Sequence, residues 1–232
     1  MKKIYLLSLF FLAHLVAFAQ YDGPVAPNYK QIKKEISNVD SPLFYNKLMT
    51  RYEQGDSTMT IEEQRHLYYG YVYQDSYNPV DQSEYNNLIS AIIAKGYFQP
   101  GDTDKIKEYA YLLLERDPFN MRALNALLLA YAEENDAKAY RKVATQRNII
   151  ERAIVSSGDG VSKKTRYYVI KVAHEYDVLP FLGFTYGGSE QFEKRCKCNS
   201  IKLGKNHFGI EKLYFDIEPV LKYAGKKGER VI

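Results

Sequence analysis

Between residues 28 and 157 apolar side chains return every three or four positions, in runs that a capping residue opens and Gly or Pro closes. This spacing puts each run on one face of an amphipathic helix, and such a face needs a neighbour to bury it. Residues 28–37 make a short polar helix. Ser41 can cap a second, with Pro42 at the first helical position and Phe44, Tyr45, Leu48, Met49 and Tyr52 on its apolar side until Gly55. Thr60 and Glu63 have the spacing of a capping box, so a third helix runs from there to about Gln74 and ends before Tyr77-Asn78-Pro79. Tyr85, Leu88, Ile89 and Ile92 mark a fourth, ended by Gly96. Asp102 caps a fifth, which Asp117-Pro118 terminates; Asn120 caps a sixth through Leu124, Leu127, Leu128 and Tyr131. The seventh carries Tyr140, Val143, Ala144, Ile150 and Ile154 up to the Gly158-Asp159-Gly160 turn. Seven helices on short loops predict stacked antiparallel hairpins across residues 20–160, after a disordered lead over 21–27.

The pattern changes after Gly160. The run TRYYVIKV at 165–172 is β-branched and aromatic and apolar on both faces, as a central strand would be. HEYDVLPFLGF reads as a short helix broken near Pro180, and Gly187-Gly188 as a loop. CNSIKL and IEKLYFDIE are two strands joined by a turn over 204–209. In the second, Leu213, Phe215 and Ile217 alternate with Lys212, Tyr214 and Asp216, which predicts one buried face and one wet one. The expected fold is therefore α+β and mainly helical, with a small sheet of about three strands over 161–223 and a loose tail at 224–232.

Residues 1–19 carry Lys2 and Lys3, then an apolar stretch from Ile4 to Val16, then Ala17-Phe18-Ala19. That order of basic, apolar and small residues is a secretory signal peptide, cleaved between Ala19 and Gln20. The apolar stretch is shorter than the ~20 residues a membrane span needs. No stable membrane span is expected after cleavage, and no cysteine lies there to take a lipid. Export leads to the periplasm or to the outside of the cell. Losing Lys2 and Lys3 takes the basic count from 32 to 30 against 28 acids. A nearly neutral exported chain is a poor partner for nucleic acid.

The sequence HLYYGYVYQDSYNP at 66–79 holds five tyrosines in a chain without tryptophan. At helical pitch Tyr68 and Val72 share one face, and Tyr69 and Tyr73 another. A helix apolar nearly all round is sandwiched between neighbours, and a buried tyrosine needs a partner for its hydroxyl. The bland expectation is core. The sharper one is a ligand groove, which Tyr69, Tyr73 and Tyr77 are best placed to reach. Gly70 in such a helix fits the close approach of a second element.

Cys196 and Cys198 are two residues apart. In an extended segment their side chains share a face, so a strained bridge with a redox role is one option. Free or intermolecularly paired thiols are another, since no Cys-x-x-Cys is present. A zinc site would join Cys196 and Cys198 with His207, and with His174 as a further ligand, although the ligand spacing typical of such sites is missing. Glu133, Glu134, Asp136, Glu175, Asp177, Glu190, Asp216 and Glu218 offer acids that could serve hydrolysis if two met in a cleft. No nucleophile elbow, phosphate loop or dinucleotide fingerprint occurs, and no cofactor is expected.

Residues 106–140, with Asp117-Pro118 followed by Asn120, Leu124, Leu127 and Tyr131, resemble a tetratricopeptide-type repeat. That resemblance implies paired antiparallel helices and a protein or peptide partner. LYYGYVYQDSYNP at 67–79 with HFGIEKLYFDI at 207–217 resembles an uncharacterised family of secreted bacterial proteins, a domain of unknown function. The expected function is a non-enzymatic interaction module of the cell envelope. The alternatives are an envelope hydrolase with an acid or cysteine site, and a glycan or small-ligand binder using the tyrosines.

Overall fold

The structure is a computed structural model that describes residues 23–80 and 83–227. The expected signal segment at residues 1–19, its expected cleavage site at Ala19 and Gln20, and residues 228–232 lie outside the described residues. Among the described residues there are nine α-helices and one four-stranded sheet. The expected mainly helical α+β arrangement is what the described residues adopt, with four strands in the C-terminal sheet rather than about three and a closing helix after it.

Local chemistry sets most helix ends. Helix α1, Tyr29–Ile36, starts where the side-chain oxygen Oδ1 of Asn28 accepts the Gln31 N–H at 3.1 Å. Helix α2, Tyr45–Gln54, stops at Gly55, whose φ of 70° is the left-handed turn that glycine enters without steric cost. Ser41 does not cap α2. Its hydroxyl accepts the Leu43 N–H at 3.0 Å and holds the preceding turn instead. Helix α3, Ile61–Gly70, has its capping box: Thr60 Oγ1 accepts from Glu63, and the Glu63 carboxylate accepts the Thr60 N–H at 2.7 Å. Past Gly70 the coil tightens into a 3-10 turn, Tyr71–Tyr73. A Cβ on Gly70 would lie 3.0 Å from the Ile36 side chain, so this glycine does mark a close approach, by α1.

Ser83 caps α4, Glu84–Ile93. Helix α5, Asp102–Arg116, begins after Gly101 at φ 84°; Asp102 lies inside the helix and its carboxylate accepts the Gln99 N–H at 3.0 Å rather than capping. Asn120 caps α6, Met121–Glu133, through the Ala123 N–H at 3.0 Å, and Asp136 caps α7, Ala137–Val155. In space α5 lies against α4 and α6, and α6 lies against α7. Helix α3 packs on α7, α1 and α2. The lead into α1 is tied down, with Val25 donating to Ser156 O at 3.0 Å and accepting from Arg65 at 2.6 Å.

The sheet runs β1-β4-β3-β2, with β1 parallel to β4 and the other pairs antiparallel. Its strands are β1 Tyr167–Tyr168, β2 Tyr186–Glu193, β3 Cys198–Leu203 and β4 Lys212–Asp216. The short helix α8, Ala173–Asp177, links β1 to β2, and α9, Glu218–Lys227, follows β4.

Four expectations change here. The 165–172 run supplies an edge strand of two residues, not a central one. Gly187 and Gly188 lie inside β2, beside a register irregularity between Tyr186 and Glu190. On β4, Tyr214 and Asp216 are buried along with Leu213 and Phe215, so its second face is not wet. Residues 224–227, expected in a loose tail, are the last turn of α9.

The core closes on Phe119, in the link between α5 and α6. The rings of Tyr52, Tyr68 and Tyr71 approach it at 5.2, 5.9 and 5.1 Å, mostly edge-on, the geometry aromatic quadrupoles favour. Tyr52 also donates its hydroxyl to Pro118 O at 2.8 Å.

Candidate functional site

The tyrosines of α3 and the turn after it reach the segment that follows β1. Past Tyr168 the backbone leaves the β4 ladder, although Val169 still donates to Asp216 O at 3.1 Å. Tyr69 donates to Ala153 O and Tyr168 O at 3.1 and 3.2 Å, and Tyr77 donates to Ile170 O at 2.7 Å. The Tyr68 oxygen accepts the Ile170 N–H at 3.2 Å. Three tyrosine hydroxyls, with the Ser157 hydroxyl that accepts the Tyr168 N–H at 2.9 Å, thus do for 168–170 what a neighbouring strand would have done, since buried backbone groups must be paired.

Tyr68 has a second partner, Nδ1 of His174 at 2.7 Å, while Nε2 of His174 faces Phe119 O at 2.9 Å. A carbonyl only accepts, so Nε2 carries the proton and Nδ1 accepts the Tyr68 hydroxyl hydrogen. Burial, with the Lys171 charge nearby, lowers the His174 pKa to about 3. His174 is a neutral, fully bonded core residue.

Among the residues expected to form a groove, Tyr69 is fully buried and lines none of the cavities described here. Tyr73 is 37 % exposed and Tyr77 is buried; both line a recess of about 160 Å³ with Tyr29, Tyr223, Lys222 and Glu218. Of the expected metal ligands, Cys196 and Cys198 form a disulfide in the turn into β3. His207 lies on the Phe208 ring instead, with 3.7 Å between ring centres. Among the described residues no group of three or more His, Cys, Asp and Glu could hold a metal ion.

Between the helices and α8 the candidate acids Asp177 and Glu175 lie near Lys171 and Arg122, two cations the sequence did not single out. Lys171 is buried and forms an ion pair with buried Asp117. Asp177 sits 3.6 Å from the Arg122 guanidinium, and burial outweighs that cation to push its carboxyl up to about 6. Asn120 and Met121 complete this side of a cavity of about 360 Å³. Glu175 turns away from it to accept Asn199 Nδ2 at 3.0 and 3.2 Å; burial pushes its carboxyl up to about 8. The available signal was Lys171, a cation inside an apolar run, which implies a buried carboxylate.

Residues 30–226 match the model of a family described as a domain of unknown function, DUF4919. The chain belongs to the DUF4919 family. The match runs from the first turn of α1 into the last turn of α9, so helices and sheet together make the DUF4919 unit. No curated protein and no solved structure matches the chain.

A third concavity of this DUF4919 chain lies among α2, α5, α6 and α7, with a volume of about 410 Å³. Leu114, Leu124, Leu127 and Val143 line it with Tyr52, Tyr111 and Tyr131. The Tyr111 and Tyr131 hydroxyls share a hydrogen bond of 2.5 Å, and Tyr111 remains 48 % exposed. Glu53, Glu115, Lys142 and Gln146 supply charge of both signs and an amide. No helix among the described residues is long and apolar enough to cross a membrane.

Proposed function

We propose that this protein is an exported, non-enzymatic interaction module that holds a polypeptide segment in the groove among α2, α5, α6 and α7. The observation that carries this is the half-exposed Tyr111, hydrogen-bonded to Tyr131 above an apolar floor. A tyrosine fixed in this way offers area at little entropic cost, and such residues dominate binding where they fill or line a pocket. An apolar side chain suits the floor; the flanking peptide backbone suits Gln146 and the charges of Glu53, Glu115 and Lys142. We take α5 to α7 as tetratricopeptide-like helices, supported by Asp117-Pro118 between α5 and α6 and by the packing of α6 on both neighbours. Export rests on the signal pattern of residues 1–19.

The test is selection of peptides from a display library, with affinities measured on the folded protein. Tyr111→Ala and Leu114→Ala should each weaken the selected peptides by about ten-fold or more, the effect of truncating a strong interface residue. Unchanged affinity in both variants would rule the groove out.

Asp177 favours a second reading, an acid-dependent hydrolase, because a carboxyl pushed up to about 6 beside a cavity can exchange a proton near neutrality. Turnover of envelope polymers that disappears in Asp177→Asn would support it over the module.

A further inference from the structure

We propose that the Cys196–Cys198 disulfide is a redox-active site that exchanges with thiols, and with anionic thiols by preference. Three observations meet in the turn between β2 and β3. The bridge encloses only Lys197, and the stabilisation a cross-link gives by restricting the unfolded chain shrinks with the length it encloses. The hairpin already holds these residues, since Cys198 pairs with Glu193 on β2 and with Asp216 on β4. This bridge therefore does little as a staple. It also confines Lys197 to a φ of 52°, the left-handed region that residues with a Cβ avoid.

The two sulfurs are not equivalent. Cys198 is fully buried, whereas Cys196 is half-buried in the turn. An incoming thiolate therefore meets the sulfur of Cys196. Exposed Lys194, Arg195 and Lys197 flank Cys196 along the chain, with Lys197 also 3.4 Å from Glu218. Cations of this kind draw an anionic thiol toward the accessible sulfur.

The step balances as two exchanges. A thiolate bonds to Sγ of Cys196, the Cys196–Cys198 bond breaks, and Cys198 leaves as a thiolate that takes a proton from water. A second thiolate then attacks the outer sulfur of the mixed disulfide and releases Cys196. Two thiols are oxidised to one disulfide, and the protein bridge is reduced to two thiols.

The full chain is equilibrated with reduced and oxidised glutathione, quenched with acid, alkylated and weighed. The bridge should be half-reduced within the range that millimolar glutathione couples set, while the urea midpoint of the reduced protein matches that of the oxidised one. Cys198→Ser should form the glutathione adduct at Cys196 about ten-fold faster than Cys196→Ser forms it at Cys198. Lys194→Glu with Arg195→Glu should slow reduction of the intact bridge at low salt and much less at high salt. A bridge that is reduced only when the protein unfolds would overturn the proposal, as would equal adduct rates in the two serine variants.

Discussion

Tyr68 donates its hydroxyl hydrogen to Nδ1 of His174 across 2.7 Å, while its oxygen accepts the Ile170 N–H at 3.2 Å. One phenol thereby joins α3, α8 and the segment after β1. Tyr68→Phe leaves a buried N–H and a buried imidazole nitrogen without their partner. It should cost about 1–3 kcal/mol. Tyr73→Phe removes only an exposed bond to Tyr29 O and should cost about 1 kcal/mol or less. Urea unfolding of both variants, at unchanged m, checks the contrast.

Lys171 and Asp117 are both buried and form an ion pair. Lys171→Met removes the cation and leaves the Asp117 carboxylate deprived of it. The expected loss at pH 7 is about 3–5 kcal/mol. Urea unfolding of the variant at pH 7 measures that loss.

Glu175 and His174 give the protein opposite pH slopes. Glu175 is pushed up to about 8, above its unfolded value of about 4.3, so the native state holds the extra proton between them. Stability from Glu175 is present at low pH and is lost as pH rises to 8. His174 is lowered to about 3 from an unfolded value near 6.5, so its contribution is present above that value and is lost on acidification. Asp177, raised to about 6, adds to the Glu175 trend at lower pH. Between about pH 7.5 and 8 the Glu175 slope dominates the three. Wild type should lose stability over that interval, and Glu175→Gln should not.

Secretion should remove residues 1–19. Intact mass and N-terminal sequencing of protein recovered from the envelope or medium should show a chain beginning at Gln20. A chain retaining Met1 in that fraction would contradict export by this signal.

The caps at Thr60 and Asn120 were legible because each is complete within four residues. Ser41 and Asp102 were misplaced because the same side chains brace a turn as readily as they cap a helix, and local sequence does not separate the two. The 165–172 run declared that both its sides are covered. It did not declare that hydroxyls from about a hundred residues away cover one of them, because a tyrosine in core and a tyrosine bonding a distant carbonyl have the same local pattern. Asp117 looked like a helix terminator, and its role toward Lys171 exists only in three dimensions. The spacing of Cys196 and Cys198 offered a bridge as one option, and the hairpin geometry makes it.

Tyrosine hydroxyls stand in for a missing strand, and native-state hydrogen exchange at the Ile170 amide reads this directly. In wild type that amide should exchange only through global unfolding. In Tyr68→Phe it should exchange faster than the variant's loss of global stability explains, while the Val169 amide, held by Asp216 O, should follow global stability. Equal behaviour of the two amides in the variant would contradict the account.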